Sequence, residues 1–180
     1  MLRAVAADPA SDRRLVAQQL GREPRAFRRV AVRCPYGAPA VTEQHPYARD
    51  GEPFPTTYYV TCPHLVAAIS RLEAAGGVEA WTAALRADRE LAASLDAADA
   101  DQRRLRHELA RGRVGRDGGA SLDLGVGGAR RVGSLKCLHA HAAFALARPG
   151  YLLGERIVAQ LDPLWPTRCC TLPRGTTLPA

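Results

Sequence analysis

The run Thr56-Thr57-Tyr58-Tyr59-Val60-Thr61-Cys62-Pro63 constrains the fold of this chain more than any other stretch. Its first six residues are all β-branched or aromatic, the side chains that suit a pleated, half-buried surface. A proline follows at once, and proline is tolerated at the first position of a helix but not inside a central strand. The run is therefore read as a strand that passes into a helix at Cys62, with Pro63 as the first helical residue. Leu65, Ile69 and Leu72 then recur with helical period, and Gly76-Gly77 ends the stripe. Cys62 is thereby delivered to a helix N-terminus.

The other elements arrange themselves around this junction. Ser11 to Leu20 reads as a short helix with Ser11 as N-cap and Gly21 as stop. Phe27 to Arg33 alternates as a strand, Cys34-Pro35-Tyr36-Gly37 has turn chemistry, and Pro39 to Glu43 is the return strand of a hairpin. Further on, Val78 to Ala87, Asp88 to about Arg111, and Gly154 to Leu161 read as helices. The acidic patch Asp96, Asp99 and Asp101 is read as a solvated face. The class is α+β, a small antiparallel sheet at residues 27–61 covered by four to five helices. A length of 180 residues suits one domain, placed at 11–161, between a frayed 1–10 and a proline-containing tail at 162–180.

Chemistry concentrates in Ser134-Leu135-Lys136-Cys137-Leu138-His139-Ala140-His141, which holds a thiol, two imidazoles and the only lysine of the chain. With Ser134 as N-cap and Arg148-Pro149-Gly150 as stop, Cys137 falls in the first helical turn. There the helix dipole and Lys136 favour thiolate over thiol. His141 is four residues on and shares its face. Such a pair suits metal ligation and suits a Cys–His nucleophile equally. Cys34-Pro35 and Cys62-Pro63-His64 add further thiols, so Cys34, Cys62, Cys137 and His141 are the candidate metal ligands, for an iron–sulfur cluster or zinc. No C-x₂-C pair exists, which fits a three-thiolate cluster or open site better than a structural zinc finger. Cys169 or Cys170 stands available as a fourth ligand. Cys137, Lys136 and His139 are the candidate catalytic residues.

The net charge of +7 is unevenly spread. Residues 1–33 hold eight arginines against three acids, and residues 111–148 hold seven bases against two acids. Two basic blocks could frame a small anionic ligand. Residues 112–133 contain eight glycines and read either as a linker or as an anion-wrapping loop, with Gly127, Gly128, Arg130 and Arg131 as ligand-binding candidates. The loop fits neither the dinucleotide nor the P-loop pattern. Aromatics are only 6% and no nucleic-acid motif is present, so nucleic acid is not the expected partner. No apolar run approaches the roughly 20 residues of a membrane span, and no apolar leader follows the first residues. The expectation is a cytoplasmic protein whose odd count of five cysteines serves metal, catalysis or burial rather than disulfides.

Four segments together carry a resemblance. They are Arg33-Cys34-Pro35-Tyr36-Gly37-x-Pro39, Pro53-Phe54-Pro55-Thr56-x-Tyr58-Tyr59-x-Thr61-Cys62-Pro63, Ser70-Arg71-Leu72-Glu73 and Lys136-Cys137-Leu138-His139-Ala140-His141. As a set they resemble the bacterial domain-of-unknown-function 501 family, common in actinobacteria, over roughly residues 20–160. The family brings no established activity. The resemblance implies a cytoplasmic bacterial protein and draws attention to Cys34, Cys62, Cys137, His139 and His141. Phe144 stands where the family pattern has a further histidine, which argues against position 144 as an essential ligand. Three readings remain open: a metal or cluster site acting on a small anionic molecule, metal-free thiol chemistry at Cys137, and a non-catalytic basic binding module.

Overall fold

The computed structural model describes residues 8–131 and 133–171. Strands β1 (Phe27–Arg33) and β2 (Pro39–Gln44) form an antiparallel hairpin. The hairpin turns at Cys34-Pro35-Tyr36-Gly37, where Gly37 takes a φ of 82° that other residues rarely adopt. Strand β3 (Tyr58–Val60) adds to β2 with Val41 opposite Val60, giving the order β1-β2-β3. Strand β2 is buried along its whole length, as befits the middle strand. Strand β3 is shorter than its sequence run because the Thr61 and Cys62 amides both turn back to the Ala40 carbonyl, which starts the next helix.

Six α-helices complete the described part of the fold. They are α1 (Pro9–Leu20), α2 (Pro63–Ala74), α3 (Gly77–Ala87), α4 (Arg89–Ala110), α5 (Leu138–Ala147) and α6 (Leu152–Val158). Helix α1 starts earlier than its sequence suggested. Asp8, not Ser11, is the cap, and its carboxylate accepts from the Ala10 and Ser11 amides at 3.1 Å. Cys62 caps α2 and Pro63 opens it, as the sequence predicts. Among the described residues no helix is long and apolar enough to cross a membrane.

Helix α5 is the centre of the core. Leu138, Ala140, His141, Ala142, Ala143, Phe144 and Ala145 are all buried there, against β3 and α6. Its small side chains permit close approach. A Cβ added at Gly154 of α6 would meet Ala145 Cβ at 2.6 Å, so only glycine fits. Phe144 meets Tyr58 and Tyr151 edge-on, with ring centroids 5.5 and 5.8 Å apart. Full burial of each such apolar side chain is worth about 1.5–3 kcal/mol.

The described part of the glycine-rich segment is built structure, not linker. Short 3₁₀ turns at Ala120–Asp123 and Val126–Gly128 pack on α4 and α5. Arg106 of α4, fully buried, donates to the carbonyls of Ser121 and Phe54 at 2.8 and 2.9 Å. Asp99, expected in a solvated patch, is instead 1% exposed and accepts from the Val126 amide at 2.8 Å.

Candidate metal centre

Glu73, Cys137 and His139 converge on one point, their ligating atoms all within 4.8 Å of one another. Glu73 lies in the last turn of α2, and Cys137 is the N-cap of α5, in extended conformation at φ −154°, ψ 117°. The Cys137 side chain does not cap the helix. The Glu73 carboxylate does so instead, accepting from the Leu138 amide at 2.6 Å. A glutamate at the end of one helix thus seals the start of another and is held beside the thiol.

His139 completes the group. Its Nδ1 lies 3.7 Å from Cys137 Sγ and 3.3 Å from Glu73 Oε1. Its Nε2 lies 3.2 Å from the Val66 carbonyl and 3.3 Å from Ser70 Oγ. A carbonyl only accepts, so Nε2 carries a proton and Nδ1 is the nitrogen turned to the thiol and the carboxylate. Burial works against a charged ring here. The Cys137 hydrogen bond, the Glu73 charge and the Val66 carbonyl outweigh it, and His139 is pushed up to about 9.

A pocket of about 260 Å³ opens beside these residues, with Cys137 and His139 in its lining and Tyr58, Val60, Val66 and Ala140 among its walls. Among the described residues no arginine or lysine lines it. A larger cleft of about 460 Å³ lies at Asp101 and Arg148, but those two side chains are bonded to each other.

The remaining sequence candidates lie elsewhere. Cys34 and Cys62 stand outside the group that Cys137 joins. Among the described residues no group of three ligand atoms within 4.8 Å of one another includes Cys34 or Cys62. Cys62 is at the opposite end of α2 from Glu73, about 16 Å along the helix axis at about 1.5 Å per residue. Helical i, i+4 geometry does not relate His141 to Cys137, because Cys137 stands outside the helix in extended backbone. His141 is fully buried, its Nδ1 2.7 Å from the Tyr151 hydroxyl, and desolvation pushes it down to about 4. It is a neutral core histidine.

Lys136, expected to act beside Cys137, donates to the Gly128 carbonyl at 3.2 Å. Gly127 does pack at the α5 start, where an added Cβ would meet Ala140 Cβ at 3.2 Å. Arg130 and Arg131 are exposed. Three of the loop amides already have partners. The Gly125 and Gly128 amides bond to the Ala129 and Gly125 carbonyls, and the Val126 amide already holds the Asp99 carboxylate.

Glu73 is the residue that reading the sequence for ligands missed. The available signal was its place in a last helical turn, where a negative charge opposes the helix dipole and so requires another partner.

A family model described as protein of unknown function, DUF501, matches residues 30–159. The matched span holds Cys34, Cys62, Glu73, Cys137 and His139 and stops short of Cys169 and Cys170. No match was found among the curated proteins or among the solved structures.

Proposed function

The chain belongs to the DUF501 family, and we propose that it is a zinc protein whose ion is held by Cys137, His139 and Glu73, with a fourth position open to the adjoining pocket. The observation that carries this reading is the use of one histidine nitrogen. Both Cys137 Sγ and Glu73 Oε1 face Nδ1. A nucleophile triad needs the thiol at one ring nitrogen and the acid at the other. A metal centre needs all three donors around one point and the second nitrogen tied to an acceptor such as the Val66 carbonyl.

The distances support zinc. Bonds of about 2.3 Å to sulfur and about 2.0–2.2 Å to nitrogen and oxygen give tetrahedral edges of about 3.6 Å for S···N and about 3.3 Å for N···O. The corresponding separations here are 3.7 and 3.3 Å. One sulfur, one nitrogen and one oxygen donor suit a borderline ion. Three protein ligands with an open fourth are the pattern of catalytic zinc, which activates water. The pocket walls favour a substrate with a compact apolar part.

Elemental analysis of the purified protein tests the proposal. Zinc is expected at this centre in the parent and lost from it in Cys137→Ser, His139→Ala and Glu73→Ala. Unchanged zinc content in all three variants would exclude the centre.

A second reading rests on the raised His139. A protonated His139 beside Cys137 also suits a metal-free thiol nucleophile. Full alkylation of Cys137 in protein treated with excess zinc would favour that reading, since a ligated thiolate is protected.

A further inference from the structure

The four cysteines outside that centre lie in two neighbouring pairs, at a place where the chain gathers three elements and its own tail. After α6 the chain runs back across the sheet end of the molecule. Tyr36 donates its hydroxyl to the Pro166 carbonyl at 2.6 Å, and His64 Nε2 lies 2.9 Å from the Pro163 carbonyl. Gln19 of α1 bridges the Pro39 carbonyl and the Thr171 hydroxyl at 2.8 and 2.9 Å. The described tail residues are thus held from α1, the hairpin turn and the first turn of α2.

What this docking delivers is Cys169-Cys170. Cys170 Sγ lies 3.5 Å from Cys62 Sγ, and Cys169 packs against the core cluster that holds Cys34 and neighbours its thiol. Cys34 and Cys62 are buried, while Cys169 is half-buried and Cys170 exposed, so the group has an inner and an outer side. Without a cation, burial keeps the Cys34 and Cys62 thiols protonated. Two buried sulfurs, and two more brought to them by a docked tail, are the parts of a thiolate metal site.

We infer that Cys34, Cys62, Cys169 and Cys170 form a second, tetrathiolate zinc site that locks the C-terminal segment onto the hairpin and α2. Zinc binding displaces the four thiol protons to solvent and forms four Zn–S bonds. Tetrahedral Zn–S bonds of about 2.3 Å set S···S edges of about 3.8 Å. The Cys62–Cys170 separation is already near that value. No three of these sulfurs lie mutually within 4.8 Å, so binding draws the two pairs together. The site is distinct from the Cys137 centre and does not depend on it.

Cobalt titration of the full chain, kept reduced, tests this, because cobalt–thiolate absorption reports the number of sulfur ligands. The Cys137→Ser protein, which lacks the other centre, is expected to bind one cobalt with a strong tetrathiolate spectrum that zinc then displaces. Cys170→Ser in that background changes an exposed position, leaves the core packed and is expected to weaken binding at least tenfold. Cys34→Ser is expected to do the same. The assignment is overturned if the Cys137→Ser protein shows no cobalt–thiolate absorption, or if absorption and affinity are unchanged by Cys170→Ser.

Discussion

Cys62 caps the start of α2 and Glu73 stands in its last turn, so one helix reaches from the paired thiols at one end to the His139 centre at the other.

Glu73 has two roles that separate by substitution. Glu73→Gln keeps an oxygen to accept from the Leu138 amide and removes the charge. It is expected to weaken zinc at the His139 centre by one to two orders of magnitude and leave the melting temperature of the metal-free protein nearly unchanged. Glu73→Ala also uncaps α5, which costs about 1 kcal/mol. Isothermal zinc titration and thermal melts of both variants separate the two effects.

Zinc affinity is expected to rise with pH. His139 must lose the Nδ1 proton to bind, and its neighbours hold that proton up to about 9. Below that value this one group contributes about a tenfold gain in affinity per pH unit. The metal-free fold responds in the opposite sense. A raised folded value means that the stability His139 contributes is fully present below its unfolded value and is lost as pH rises through about 9. Competition titrations and urea melts between pH 6 and 9 check both slopes.

His141, two residues away, works in reverse. Its folded value is pushed down to about 4, so the unfolded chain binds more protons than the folded one between about 6.5 and about 4. Stability is expected to fall as pH drops through that window. His141→Ala should remove this dependence and cost about 2–4 kcal/mol, from a cavity in the core and the unpartnered Tyr151 hydroxyl. It should leave the zinc content unchanged. Denaturant melts at pH 5 and 7 with metal analysis test the assignment of His141 as structural.

Much of the fold was legible locally. Strand β1 spans Phe27 to Arg33 as read, although its burial does not alternate, and Cys62-Pro63 marks the start of α2, because both depend on neighbouring residues alone. What was not legible depends on partners far along the chain. Ser134 looked like the cap of α5, but the Leu138 amide is satisfied by Glu73, 65 positions away, and the helix begins only after Cys137. That shift took His141 off the Cys137 face and left His139 as the neighbour. The pairing of Cys62 with Cys170 spans 108 positions and leaves no periodic trace. The glycine-rich segment was ambiguous because its order comes from Asp99, Gln102 and Arg106 of another element.

Gly125 tests that last point. A Cβ there would meet the Asp99 carboxylate at 2.5 Å, and the carboxylate is fixed by the Val126 amide. Gly125→Ala is expected to destabilise the fold by about 1–3 kcal/mol through overpacking. Gly133→Ala, where among the described residues no atom beyond the chain neighbours lies within 4 Å, carries only the strain of its positive φ. Thermal melts of the two variants should differ, with Gly125→Ala the lower.

The most direct test of the central claim is the zinc-edge X-ray absorption spectrum of the zinc-loaded protein carrying Cys169→Ser and Cys170→Ser. The account predicts one sulfur at about 2.3 Å with nitrogen and oxygen scatterers at about 2.0–2.2 Å, from Cys137, His139, Glu73 and water. A shell without sulfur, or a protein that binds no zinc, would contradict it.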